Sequence, residues 1–232
     1  MGAGKAYIYR KNERRIWELD TCLSMKGSVF GDFGKTIAVS GNYAFVGVSQ
    51  EAIYNDENLQ MQKGAVYVYK FDGKDSWALS QKITISKAIN LERFGYSISV
   101  SNNFMIIGSQ FGKVNPGKLK GYENGAAYLY ELKDDKWSYK TEIIPPNKTQ
   151  LVEFGKSVFM KGKNIAVSCE NILRQSDPVR FKNVSRTYFF EMTDSDQIKE
   201  TGFVDSPKNR GISDYKKTCV ISNGTAVLKW FD

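Results

Sequence analysis

Four carboxylates stand at matching places in the chain: Asp32, Glu92, Glu153 and Asp214, each one or two residues ahead of a Phe-Gly pair or its degenerate counterpart. Brought to one mouth, paired carboxylates are the residues that glycoside hydrolysis needs, one as acid and one as base or nucleophile. The chain has no histidine, which excludes Ser-His and Cys-His nucleophile systems and imidazole metal sites. The three cysteines, Cys22, Cys169 and Cys219, are an odd and unclustered set, so neither a disulfide framework nor a zinc site is expected. They read as small buried apolar residues. A ring of acids without a defined pair is not a catalytic site. No enzyme activity, cofactor or metal is expected, and the acids are equally suited to satisfying turn amides.

Charge offers a second chemistry. The formal net charge is +8, and the densest cluster is Arg10, Lys11, Arg14 and Arg15. Lys113, Lys118 and Lys120 follow in one connection, and Arg174, Arg180 and Lys182 in another. Nucleic-acid binders concentrate such charge on one face. Here Asp and Glu are interspersed along the whole chain, so a solvated surface is expected and nucleic acid is not an expected partner. Hydrophobic residues at 41% and charged ones at 25% are ordinary for a globular protein. No apolar run approaches the roughly 20 residues of a transmembrane helix. Met1 to Lys5 lacks the apolar core of a signal peptide.

The elements that must position these residues come from an internal repeat, and repeats govern the whole reading. Phe94-Gly95 opens two short apolar segments joined by Asn102-Asn103. The pattern recurs from Phe33 to Val48 and from Phe154 to Cys169, with a worn copy from Tyr215 to Lys229. A second half follows in each unit. Gly64-Ala65-Val66-Tyr67-Val68-Tyr69 matches Gly125-Ala126-Ala127-Tyr128-Leu129-Tyr130, with Gly4-Lys5-Ala6-Tyr7-Ile8-Tyr9 before them and Ser185-Arg186-Thr187-Tyr188-Phe189-Phe190 after. Trp17, Trp77 and Trp137 fall at one further shared place, 60 residues apart by subtraction of these numbers. Tyr-x-Tyr alternation has a period of two, which is a strand with two distinct faces. Gly41-Asn42, Asn102-Asn103, Gly162-Lys163 and Asn223-Gly224 are two-residue hairpin turns. Each full unit is therefore predicted to hold four antiparallel strands, A to D, and such units read as propeller blades.

The Phe-Gly opening, the strand–turn–strand and the later Gly-Ala-x-Tyr-x-Tyr resemble FG-GAP repeats. That resemblance implies the β-propeller of integrin α-subunits and of many surface proteins, hence a cell-surface or extracellular setting. Many FG-GAP repeats bind calcium in an acidic A–B loop. The A–B turns here are two residues long and carry no Asp or Glu, whereas calcium takes six to eight oxygens, so that site is not carried over.

The expected fold is all-β: one β-propeller domain, 1–232, with half-blade 4–21, blades 33–83, 94–143 and 154–204, and half-blade 215–231. The two halves together would make a fourth blade and close the ring, removing both free edges. A monomer of four blades or a homo-oligomeric larger ring satisfies the same arithmetic. The longest connections, B to C, run roughly 49–63, 110–124 and 170–184. Loops on a rigid scaffold are where binding resides. The expected partner-binding residues are Phe111, Lys118, Tyr122 and Arg180, aromatic anchors with cations beside them, presented to a protein or glycan. The expected role is a binding module or scaffold; the alternatives are a structural subunit of a larger assembly or surface layer and, after it, a carbohydrate-active enzyme.

Overall fold

The Tyr-x-Tyr alternation and the Gly/Asn turns produce strands throughout. A computed structural model describes residues 4–25, 31–51, 53–55, 58–60, 64–85, 93–111, 124–146, 151–173, 182–206, 218–222 and 225–229. In chain order the strands are β1 (Lys5–Lys11), β2 (Trp17–Ser24), β3 (Thr36–Ser40), β4 (Tyr43–Val48), β5 (Ile53–Asn55), β6 (Asn58–Gln60), β7 (Ala65–Phe71), β8 (Trp77–Ile83) and β9 (Phe94–Ser101). There follow β10 (Phe104–Phe111), β11 (Asn124–Lys133), β12 (Lys136–Ile143), β13 (Leu151–Lys161), β14 (Asn164–Leu173), β15 (Lys182–Met192), β16 (Ile198–Asp205), β17 (Thr218–Ser222) and β18 (Thr225–Lys229). Three four-stranded antiparallel sheets form, β3-β4-β7-β8, β9-β10-β11-β12 and β13-β14-β15-β16. Two two-stranded sheets, β1-β2 and β17-β18, stand at the ends of the series. The small hairpin β5-β6 lies inside the first B–C connection, where the sequence reading places only loop. The chain divides into two compact units, Met1–Gly95 and Tyr96–Asp232.

One backbone device recurs along the chain. Phe33 reaches the start of β1, Phe94 the start of β7 and Phe154 the start of β11. At each meeting point stands a glycine, Gly4, Gly64 or Gly125, where an added Cβ would lie 1.9, 2.1 and 1.9 Å from the Phe carbonyl oxygen. The partner glycines Gly34, Gly95 and Gly155 hold φ of +86°, +83° and +87°, a region open to glycine at little cost. The Phe-Gly and Gly-Ala pairs are thus two halves of one backbone clasp between successive repeats. In the last four-stranded sheet Ser185-Arg186 replaces Gly-Ala, and the following Phe-Gly is Tyr215-Lys216, so both halves of the clasp are lost together.

The clasps made by Phe33 and Phe154 each close over an apolar core. In the first unit Ala6 and Leu23 of β1-β2 pack with Phe33, Ala44, Val46, Val48 and Tyr69. In the second, Ile106, Ala127, Leu129 and Ile143 pack with Phe154, Val158, Met160, Ile165, Val167, Tyr188 and Phe190. Hydroxyls stitch β9 to the sheet that follows. Ser97 Oγ donates to the Gly155 carbonyl at 2.8 Å, while Ser99 Oγ and Ser101 Oγ accept from the amides of Met160 and Gly162 at 2.9 and 2.8 Å.

Every C–D strand pair carries a register shift at the same place: between Ile8 and Tyr9, Val68 and Tyr69, Leu129 and Tyr130, and Phe189 and Phe190. The residues left over on the D strand are Asp20, Ser80, Lys140 and Thr201. A bulge re-aims a side chain out of the alternation, and two of these reach the next sheet. Asp20 accepts from Trp77 Nε1 at 2.9 Å and from Arg10 at 2.7 Å. Lys140 donates to Glu131 at 3.0 Å and to Asp196 at 2.7 Å.

The buried Tyr-x-Tyr rows make the fold sensitive to alkali. Burial, with the Tyr139 ring beside it, pushes the Tyr130 phenol up to about 12, and burial raises Tyr69 as well. In the unfolded chain these phenols ionise near 10. The folded state binds the proton more tightly, so this stability is fully present below pH 10 and is lost as pH rises from 10 towards 12. Urea midpoints taken from pH 8 to 12 are expected to fall across that window, and Tyr130→Phe is expected to flatten the fall. An unchanged slope in Tyr130→Phe refutes the assignment.

Candidate interaction face

Alternating strand direction brings the start of A, the end of B, the start of C and the end of D to one edge of each sheet. In the first unit that edge is built by Asp32, Ser49, Gln50, Glu51, Tyr67 and Lys82. Asp32 is consumed by its neighbours: Oδ1 accepts the Gln50 amide at 2.9 Å and Oδ2 the Ser49 hydroxyl at 2.6 Å. These bonds fix the stem of the first B–C connection. Beside it Glu51 is 4% exposed, and a carboxylate so buried must be paired. Its partners are Lys82 Nζ at 2.9 Å and the Tyr67 hydroxyl, which donates to it. Burial first, and then that hydrogen bond, hold the Tyr67 phenol well above its ordinary value. Lys82 also lies over the Tyr67 ring, 5.3 Å from its centroid, and Phe33 meets the same ring edge-on at 5.9 Å.

The second unit builds its edge differently. Glu153 pairs with Lys156 at 2.6 Å and sits at φ 61°. Arg186 forks onto Asp205 at 2.5 and 2.8 Å while its guanidinium lies 3.8 Å from the centroid of Phe203. Phe203 is half exposed, so this is a rigid apolar surface stiffened by an ion pair. Phe111 ends β10 opposite Asn124; it is half-buried, and its carbonyl accepts from Ser109 Oγ at 3.2 Å. Lys118, Tyr122 and Arg180 lie outside the described residues, as do Glu92 and Asp214. Of the four repeat-start acids, the two described ones are each held by local bonds.

Glu51 and the Arg186–Asp205–Phe203 cluster are what sequence reasoning missed. Tyr67 and Arg186 stood in the repeat motif, but their partners come from other strands and share no spacing with them.

The basic hairpin lies at the opposite edge, where C turns into D. A shallow depression of about 400 Å³ there is lined by Arg10, Asn12, Glu18, Asp20 and Asp75 among others. Arg10 is spent on Asp20, on the Lys74 carbonyl at 3.2 Å and on the face of Phe71 at 4.5 Å. Lys11 lies 5.0 Å from the Trp17 centroid. Both signs of charge line the depression and pair within it, which is a structural seam and not an anion-binding patch.

The strand order A to D, clasped Phe-Gly to Gly-Ala, is now in place. Residues 77–130 match the family model of the FG-GAP repeat. No curated protein matches the chain. The FG-GAP match begins at Trp77 on β8 and ends at Tyr130 on β11, so it covers D, A, B and C in that order. The sequence repeat is therefore out of phase with the sheets, and the Phe94-Gly95 hook lies inside it. Among the described residues no cluster of three or more acidic or sulfur ligands could hold a metal ion, and no helix is long and apolar enough to cross a membrane.

Proposed function

We propose that the chain is a non-catalytic binding module whose sheets act as blades of one propeller and whose B–C connections present a surface to a protein or glycan. The reading includes a closed ring in which β17-β18 and β1-β2 are halves of one blade, with β18 paired to β1. The observation that carries the binding role is the rigid stem of the first B–C connection. Asp32 and Glu51 each spend a carboxylate on fixing residues 48–51, and rigid scaffolds carrying long connections are the usual setting for recognition. The FG-GAP match supports the same class of role.

The test is binding of the full chain to immobilised protein and glycan panels. Phe111→Ala is expected to cost about 2 kcal/mol of binding, as truncated aromatic anchors do, while Arg14→Glu with Arg15→Glu leaves binding near the parent value, as rim charges do. The reverse pattern overturns the assignment of the face. Turnover of any glycan on the panel that disappears in Glu153→Gln or Asp214→Asn would replace the binding reading with a catalytic one.

A further inference from the structure

Two successive joints show what the Phe-Gly hook of a following repeat needs. An added Cβ at Gly47 would stand 2.2 Å from the Gly95 carbonyl oxygen, and one at Gly64 2.1 Å from that of Phe94. In the next joint the same distances are 2.0 Å, from Gly108 to Gly155, and 1.9 Å, from Gly125 to Phe154. The hook glycines themselves, Gly95 and Gly155, hold φ of +83° and +87°. Glycine at these three places lets two backbones touch. At the last joint the same repeat positions read Ser168, Ser185 and Lys216, with Tyr215 in place of the Phe. Each change acts against a hook. The serines fill the space that its carbonyls would take, and a lysine at such φ is strained.

The last four-stranded sheet closes that place with its own residues. The Ser185 amide donates to Ser206 Oγ at 3.1 Å, and its carbonyl accepts from the Ser206 amide at 2.8 Å. Pairing of C with D continues to Arg186 and Asp205, whereas it ends at Ala127 and Ile143 in the sheet before. Ser168 and Thr187, buried where Gly108 and Ala127 stand, spend their hydroxyls on each other at 2.8 Å. What remains for a following repeat is an apolar seat, Ala166 packed with Phe159 and Phe189. By repeat position Ala166 and Phe189 stand where Ile106 and Leu129 receive Phe154 and Val158. The strands differ as well. β13 packs on β10 and β11, the B and C strands of the sheet before it, while β17, the A strand of the last repeat, packs beside β13.

We propose that β17-β18 is a releasable strap. It closes on the β13-β14-β15-β16 sheet by apolar contact and lifts off as one unit, while the clasped sheets stay folded. Contact without interlocking opens locally, at a free energy below that of global unfolding. Seat and strap both lie in the second compact unit, so the device is complete within it and does not require a closed ring. In the ring proposed above, this hairpin is the closing element, and lifting it opens the ring with no sheet unfolded.

The experiment is hydrogen exchange on the full chain, read by mass spectrometry peptide by peptide and corrected for intrinsic rates. Residues 218–229 are expected to exchange about 100-fold faster than 164–173 and 182–192. Low urea is expected to leave the fast rate unchanged, because lifting a hairpin exposes little surface, and to speed the slow ones. Ser168→Gly, Ser185→Gly, Tyr215→Phe and Lys216→Gly together restore the clasp and are expected to slow 218–229 about 10-fold. The seat pair alone, or the hook pair alone, is expected to change it less than about threefold, since neither half interlocks without the other. Equal rates for 218–229 and 182–192 in the parent overturn the proposal, and that comparison needs no variant. A four-site variant that keeps the parent rates in 164–173 yet leaves 218–229 as fast as before also overturns it, as does a hook pair that matches the four-site variant. None of these readouts depends on the B–C connections, so failure here and failure of the binding role are distinguishable.

Discussion

Gly125→Ala is expected to be among the most damaging single-methyl changes in this chain. The new Cβ would stand 1.9 Å from the Phe154 carbonyl oxygen, 2.3 Å from that of Ser109 and 2.7 Å from that of Gln110. All three are backbone atoms, so no side chain can swing aside. The two sheets must separate, and the Phe154 ring leaves the cluster it shares with Tyr188 and Phe190. Overpacking costs typically 1–3 kcal/mol where side chains yield, and here they cannot, so about 4 kcal/mol is expected. For a chain of this length that is a melting temperature lower by about 10 °C. Gly41→Ala is the control. Gly41 also lies at positive φ, +53°, but nothing stands within 4 Å of its Cβ position. It carries only the conformational cost, about 1 kcal/mol. Equal melting temperatures for the two variants would remove the clasp from the account of stability.

Lys82→Met is expected to cost more than Glu51→Gln, although both remove the same ion pair. The Glu51 side chain is 3% exposed and that of Lys82 34%. Losing the lysine strands a carboxylate that water cannot reach, with only the Tyr67 hydroxyl left to it, and about 3 kcal/mol is the expected loss. Losing the charge on Glu51 leaves Lys82 free to turn towards solvent, while the amide can still accept from Tyr67, so about 1 kcal/mol is expected. Denaturant midpoints of the two variants and of the double variant test this. The double variant is expected to lie above Lys82→Met alone, because it removes the stranded charge. If Glu51→Gln proves the costlier single change, the pair is not the anchor of the first B–C stem.

Much of the sheet architecture was legible because its determinants are local. Two-residue Gly/Asn turns and the Tyr-x-Tyr rows each act within a few residues of chain, and they reappear as hairpins and C strands at the same places. The Phe-Gly and Gly-Ala pairs were visible as landmarks, yet their joint purpose was not. A clasp is a contact between residues about 30 positions apart, and no periodicity announces it. The bulges were hidden for a related reason. One surplus residue on a D strand breaks the alternation only if the partner register is known. The candidate site was the least legible part. Charge suggested a basic hairpin, but Arg10 is neutralised by Asp20 from the adjoining strand. Glu51 was one polar residue among many at the edge of a long connection until β7 and β8 brought Tyr67 and Lys82 to it.

The surplus residue on each D strand also bears on how near-copies avoid stacking in the wrong order. Sheets so alike in strand length and apolar pattern could pair with any neighbour while the chain is collapsing. Hydrophobic contact alone distinguishes them poorly, since each presents the same rows. Asp20 offers an acceptor, and the hairpin that follows it supplies the Trp77 indole N–H. Lys140 offers a donor, and the hairpin that follows it supplies the Asp196 carboxylate. Exchanging the two neighbours would set an ammonium against an indole N–H and one carboxylate against another. At these two bulges the surplus residue therefore works as an address label, matched by the hairpin that follows it.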